Sequence, residues 1–522
     1  MSNSRQAAKS ALIIIIFTLG SKFLGFFREV LIASKFGSGM ETDTFFVAMT
    51  ATALITGLLS SAISTTFIPV LSEIESKEGK KGKIEHANNM INIIFVISII
   101  LVMGGLIAAP IIVKLLAKGF QGEQFDLAVK LTRIGLPMIL FGGIIGVFTG
   151  YLQSEQRFTS SAAIGFPFNF VYIFFLFFLS SKFGIKGLMA AAVIAVASQF
   201  LIQIPEARSS GYKYIFKVDL KDKYITKVIL LSLPVLVGVA INDLNAIVDR
   251  TLASSLISGS ISALNYANKL NGLILGVFIS AITTVIFPLL SKESTSDNIP
   301  GMKKIMSYGI NLILIITVPA TVGLIVLAAP IVEIAFQRGA FDATATLMAS
   351  QALTFYSIGL VAMSLNLLLT RVYYSLQDTK TPMVNGAISV VFNIVLNLIL
   401  VKFMAHSGLA LATSIATTIA TLLLLNGLKK KIGSLGTKGY ITTFIKTGLA
   451  SGIMGGVTYL IYHGTYGLLG VSKLYNLISL LVAVGVGVIV YLVLCYVFGV
   501  EEVMDVVGKV RERLGRNLGN RY

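Results

Sequence analysis

Runs of about twenty apolar residues recur along the whole chain and restrict its fold more than any other feature. A helix needs about 20 such residues to cross a bilayer core, and only helices or closed barrels pair every backbone group there. Fourteen spans are predicted, at 11–35, 44–70, 89–116, 133–152, 161–181, 187–205, 229–257, 261–290, 305–334, 345–370, 383–403, 409–426, 441–462 and 473–499. Hydrophobic residues make up 55% of the chain and charged ones 13%, against about 25% charged in soluble domains. Mean hydropathy is +0.86. Pro69, Pro110, Pro234, Pro288, Pro319 and Pro330 fall inside the runs. Neighbouring helices re-satisfy the backbone at such sites, so these prolines need not end a span. The predicted class is an all-α polytopic membrane protein.

Lysine and arginine set the orientation. With the N-terminus inside, 27 basic residues fall on inside segments and ten on outside ones, which places both termini in the cytoplasm. An even number of spans requires the same. Arg5 and Lys9 ahead of the first run imitate a signal peptide, but no small-residue cleavage site follows, so the run is read as an uncleaved first helix. The net charge of +18 lies in short loops between apolar runs and does not indicate nucleic acid. The lone cysteine, Cys495, lies in an apolar run, which excludes a disulfide framework and a thiolate metal cluster. With no tryptophan and 18 tyrosines, any interfacial aromatic belt rests on tyrosine.

The chain repeats itself. Ala33-Ser34 and Phe46-Val47-Ala48 match Ala253-Ser254 and Tyr266-Ala267 at an offset of 220, and FIPVLSE (67–73) matches IFPLLSK (286–292). Phe168-Asn169 and Gly184 match Phe392-Asn393 and Gly408 at an offset of 224. Spans 1–6 and 7–12 are therefore two parallel copies of a six-helix unit, which places a substrate site between the halves. The expected domains are an N-lobe (1–205), a basic cytoplasmic linker (206–228) lying near anionic headgroups, a C-lobe (229–426), two further helices (427–500) and a basic cytoplasmic tail (501–522).

Charge inside the wall is the functional signal, because an ion at mid-bilayer costs on the order of 3 kcal/mol. The first span carries Lys22, Arg28 and Glu29. Arg28 and Glu29 are adjacent, point about 100° apart and are not expected to pair with each other. The seventh span carries Asp243, Asp249 and Arg250, and the eighth carries Lys269. Arg28, Arg250 and Lys269 lining one cavity would suit an anionic ligand, and the arginine fork suits phosphate or diphosphate. Interhelical ion pairs are the competing explanation, most of all for Asp243 with Arg250, and Lys22 is expected to snorkel to the surface.

A second constellation joins Asn393 and Asn397, spaced i,i+4, with Thr413 and Asp249. Their oxygens suit a hard cation such as sodium, while ordinary interhelical hydrogen bonding would use the same groups. Asp378 in YYSLQDTKTP is read as a helix cap. His86, His406 and His463 are read as solvated loop histidines. No HExxH, CxxC, Walker or GxSxG pattern occurs, which argues against an enzyme.

The stretches GFFREVLIASKFG, DTFFVA, FIPVLSE, VDRTLASSLISGSISALNYANKL, IFPLLSKE, YSLQDTKTP and VVFNIVLNLIL together resemble the MurJ/MviN lipid II flippases. These sit in the superfamily that also holds multidrug/toxin extruders and polysaccharide flippases. The resemblance covers nearly the whole chain. It implies two six-helix lobes around a cationic cavity, with the last two helices forming a groove for an undecaprenyl tail. It implies that lipid-linked peptidoglycan precursor moves from the inner to the outer leaflet by alternating access. The family's first-helix arginine and following acid fall on Arg28 and Glu29. Its eighth-helix arginine falls on Lys269, which keeps the charge and loses the fork. Its second-helix arginine falls near Thr56 or Gly57, where no charge remains and for which Arg250 would compensate. A sodium site described for some members maps onto Asp249, Asn393, Asn397 and Thr413, with Asn397 in place of an aspartate.

The expected function is therefore a lipid II flippase of the bacterial cytoplasmic membrane, not an enzyme. Lipid II and membrane lipids are its expected partners, together with the cell-wall synthesis machinery. Sodium or the membrane potential is the expected driving force, and no other cofactor is. The alternatives are a flippase for another undecaprenyl-linked glycan and a cation-coupled exporter. An exporter of organic cations should have an acidic cavity.

Overall fold

The computed structural model describes residues 2–469, 472–505, 507 and 508, and every regular element among them is helical. Lys509, Arg511, Arg513, Arg516 and Arg521 of the expected basic tail lie outside the described residues. The chain forms two compact units, one of Met1–Ser262 with Arg338–Ala345 and one of Ala263–Gln337 with Thr346–Tyr522.

The first unit holds α1 (Ser2–Phe36), α2 (Met40–Leu116), α3 (Gly122–Gly135), α4 (Met138–Ser154), α5 (Thr159–Ala163), α6 (Gly165–Phe178), α7 (Ser180–Leu201), α8 (Gln203–Ser209) and α9 (Lys223–Ala253). α10 (Ser260–Ile274) starts in it. The second unit holds the rest of α10, then α11 (Ser280–Thr295), α12 (Ile299–Val326), α13 (Ala328–Phe336), all but the first three residues of α14 (Ala343–Ile358), α15 (Leu360–Ser375), α16 (Lys380–Ile432), α17 (Thr437–Leu469) and α18 (Lys473–Val497). The core of the first unit packs Phe67, Leu71 and Ile74 of α2 against Val147, Tyr151 and Leu152 of α4. In the second unit Ile286, Met306, Ile313, Leu368 and Leu424 join α11, α12, α15 and α16. Large apolar side chains that no protein covers, such as Ile107 and Phe403 (80% and 81% exposed), are what lipid contact requires.

Among the described residues nine helices are long and apolar enough to cross a membrane, or ten if the bent pair α14–α15 is one span. The expected count of fourteen is not confirmed; two of these nine, α2 and α16, each hold two of the expected runs. α2 has 77 residues, enough for two crossings of a hydrocarbon core about 30 Å thick, and it is two helical stretches meeting at a kink. It carries the runs 44–70 and 89–116 in one element, interrupted at Gly79 (φ 71°). α16 likewise carries 383–403 and 409–426, interrupted at Ala405 (φ 47°).

The repeat reappears as structure inside the first unit. Gly119 sits so close to the end of α9 that a Cβ would lie 2.3 Å from the Ser254 carbonyl oxygen. Gly339, 220 residues later, sits the same way on the end of α1, 2.1 Å from the Ser34 oxygen, and the Ala340 amide donates to that oxygen at 2.8 Å. Ser34 and Ser254 are themselves 220 apart.

Candidate substrate-binding site

Arg28 leaves α1 toward α6. Its Nη2 donates to Glu29 Oε1 at 2.7 Å and its Nη1 to Asn169 Oδ1 at 3.2 Å. The guanidinium carbon lies 5.2 Å from the Phe168 ring centre and 5.0 Å from that of Tyr172. The expectation that Arg28 and Glu29 do not pair is thus overturned. An arginine stem is long enough to fold back across the 100° that separates neighbouring Cβ atoms, and a poorly solvated guanidinium gains much from a carboxylate. Glu29 is buried at 3% exposure, and the Arg28 side chain keeps 15%. Aromatic faces suit a planar cation. The sequence reading missed Phe168, Asn169 and Tyr172 as its partners, although Phe168-Asn169 had already stood out in the repeat.

Arg250 on α9 donates from Nη1 to the Ile261 carbonyl oxygen at 3.2 Å and lies 5.9 Å from the Phe46 ring centre. Arg28 and Arg250 are thus both in the first unit, one held by α6 and the other by the start of α2 and α10. Lys22 is half-buried on α1, Asp249 and Asp243 are half-buried on α9, and Lys269 is exposed on the part of α10 that belongs to the second unit. Beside Arg250 stands a residue to which the sequence reading gave no role. Asp43, 3% exposed, accepts hydrogen bonds from the Gly259 amide, the Ser262 amide and the Ser262 hydroxyl, each at 2.7 Å. It satisfies donors that the first turn of α10 leaves without intrahelical partners.

Asn393, Asn397 and Thr413 do come together, within the second unit. Asn397 Nδ2 donates to Asn393 Oδ1 at 2.7 Å, and Asn393 Nδ2 donates to Thr413 Oγ1 at 3.3 Å. Asp249 belongs to the first unit. The three groups of α16 are neutral, and the Asn393 and Thr413 oxygens accept from this internal chain.

The loop charges are more ordered than sequence suggests. Asp378 accepts from the Thr381 amide at 2.9 Å and caps α16 as expected. His86 is not a solvated histidine. It lies between Asp222 (2.5 Å) and Glu78 (2.9 Å). His406 is also buried, its Nε2 3.0 Å from the Met348 carbonyl oxygen. Lys83 has no exposed surface and donates to Glu75 at 2.7 Å and Glu155 at 2.5 Å. Burial opposes its charge, and the bonds it donates to Glu155 and Glu75 override that and hold the ammonium above its ordinary pKa. Burial likewise opposes the Glu155 charge, and Lys83 overrides it and holds the carboxyl below its usual range.

In the second unit an apolar groove of about 540 Å³ runs between α12, α15, α16 and α17, with Leu314, Val318, Val361, Leu422 and Phe444 on its walls. The described end of the chain packs α17 on α18 through Met454, Tyr491 and Cys495.

The family model described as "Lipid II flippase MurJ" matches residues 32–480. The chain belongs to the MurJ family of lipid II flippases. It is 31% identical over 512 residues to the probable lipid II flippase MurJ of Vibrio cholerae, covering 95% of this chain and 97% of that one. It is 28% identical over 453 residues to the lipid II flippase MurJ of Burkholderia cenocepacia, covering 85% and 88%. A solved lipid II flippase MurJ in an inward closed conformation matches 94% of this chain and 100% of its own, with a TM-score of 0.78 and 28% identity. An inward-facing multidrug resistance transporter of the MATE family shares the fold, with a TM-score of 0.69 at 13% identity. The MurJ family is a family of transporters, and this member is a multi-pass membrane protein of a bacterial family.

Proposed function

We propose that this MurJ-family chain moves lipid II from the inner to the outer leaflet of the cytoplasmic membrane by alternating access, and that it makes and breaks no covalent bond. The observation that carries the reading is the family match over residues 32–480. Arg28 supplies the recognition. A guanidinium binds two phosphate oxygens at once, and the Phe168 and Tyr172 rings keep its plane in place. An incoming diphosphate exchanges with Glu29, which holds the guanidinium until then. Arg250, in the same unit as Arg28, adds positive charge, Lys269 is a second candidate for headgroup contact, and an undecaprenyl tail suits an apolar groove such as the one along α17. The precursor is then handed to the cell-wall synthesis machinery.

In this reading both termini face the cytoplasm. A thiol-reactive, membrane-impermeant probe added outside intact cells should therefore label a cysteine at Lys118 and spare one at Lys80. The test of the site is Arg28→Ala in a strain depleted of its own flippase. Complementation should be lost at unchanged protein level, and Arg28→Lys should rescue only in part because the fork is gone. Full rescue by Arg28→Ala would remove Arg28 from the site. Coupling to sodium is a separate proposal resting on Asp249. Asp249→Ala should lose more activity at low sodium than at high, and an unchanged sodium dependence would exclude it.

A further inference from the structure

The first unit carries a second lipid-facing feature that flipping does not use. On α2, Phe95, Ile99, Met103, Ile107 and Ile111 are spaced four apart, and all are exposed. Residues at i and i+4 are neighbours on a helix surface, so these five form one continuous ridge, which slants across α2 and turns by about 160° between Phe95 and Ile111. Its length of about 25 Å nearly spans the hydrocarbon core. At the Phe95 end the ridge runs into a cavity of about 700 Å³, floored by Phe95, Phe148 and Phe200 and rimmed by Arg208, Lys213 and Tyr214. The cavity is thus apolar where it meets the ridge and cationic at its rim.

The rim is built. The chain between α8 and α9 lies against α2 and is tied down by three asparagines. Asn88 Nδ2 donates to the Lys213 carbonyl oxygen at 2.9 Å, Asn92 Nδ2 to that of Lys217 at 2.9 Å, and Asn89 Nδ2 to that of Asp219 at 3.0 Å. Tyr214 donates to Asn92 at 2.7 Å. The same strap presents Phe216 and Leu220, 78% and 72% exposed, which a bilayer surface would cover. Lys217, Lys223 and Lys227 are paired with Glu85, Glu78 and Glu73. Arg208 and Lys213, both exposed, have no carboxylate partner among the described residues.

We propose that this cavity binds an anionic glycerophospholipid, with its phosphate between Arg208 and Lys213 and an acyl chain over Phe95 and Phe200 along the α2 ridge. A soluble anion would make no use of the apolar floor. A zwitterionic lipid would bring its own cation against two unpaired ones. The proposal is independent of the cargo assigned above.

The chain has no tryptophan, so Phe95→Trp makes a sole reporter in the full-length protein. It is reconstituted in vesicles containing brominated phosphatidylglycerol or brominated phosphatidylcholine. Phe174→Trp, on the exposed face of α6, reports on bulk lipid. The site predicts that phosphatidylglycerol quenches the reporter at position 95 at a mole fraction at least fivefold lower than phosphatidylcholine, with no such preference at position 174. The combined substitution Arg208→Gln and Lys213→Gln, at exposed positions that spare the core, should abolish the preference, at about fivefold per cation. Equal quenching by the two lipids, a preference that survives the double substitution, or the same preference at position 174 would each overturn the proposal. Saturation by undecaprenyl diphosphate at a lower mole fraction than phosphatidylglycerol would assign the cavity to the cargo headgroup and overturn it equally.

Discussion

Lys83 keeps an ammonium inside the protein because Glu155, Glu75 and the face of Tyr151 stand in for its water. Removing one partner of such a pair strands the other, which costs about 3 kcal/mol or more. Lys83→Met should lower stability by about that amount, read as a fall in melting temperature in detergent at neutral pH. The pH dependence follows from both partners. Glu155, held low, contributes stability that is present above the ordinary glutamate pKa of about 4.3 and is lost as pH falls through its folded value. Lys83, held high, contributes stability that is complete below about 10.4 and is lost as pH rises through its folded value. The gap between the parent protein and Lys83→Met should therefore be widest at neutral pH and narrow at both ends. A gap that stays constant with pH would mean that packing, not charge, holds the cluster. Sequence showed that Arg28 was costly and therefore held by something. It did not show by what, because Phe168, Asn169 and Tyr172 are more than a hundred residues away and neutral. Lys83 looked like one more loop lysine, since nothing local marks a lysine as buried.

At the scale of elements, the repeat decides where backbones touch. Gly339 combines a positive φ of 59° with a carbonyl oxygen where a side chain would begin, so no other residue fits without moving the end of α1. Gly339→Ala should cost about 2 kcal/mol or more through strain and overlap together. Gly104→Ala, on α2 with open space around it, should be neutral or stabilising by about 1 kcal/mol. Thermal unfolding of the two variants side by side checks this, and similar behaviour would contradict the close approach. The copies were readable from Ser34 and Ser254, and Lys118-Gly119 and Arg338-Gly339 show the same kinship. What sequence lacked was the partner of each glycine. Periodicity marks a helix end, and nothing in it says which distant carbonyl that end will meet. Gly79 and Ala405 break α2 and α16 with positive φ, between runs that the sequence reading had already set apart.

For the whole molecule, class and family were legible because both rest on features that survive without coordinates. Apolar runs fix a membrane protein, and spaced motifs such as GFFREVLIASKFG fix the family. The occupant of a site is not written that way, since an arginine paired to Glu29 and an arginine awaiting a diphosphate have the same sequence. The central claim is the cargo. It is tested most directly by the accessibility of lipid II at the outer leaflet, in cells where this chain is the sole flippase, before and after its depletion. The account predicts that outer-leaflet lipid II falls while precursor accumulates at the inner leaflet. Unchanged export of lipid II on depletion would contradict it and would point to another lipid-linked glycan as the cargo.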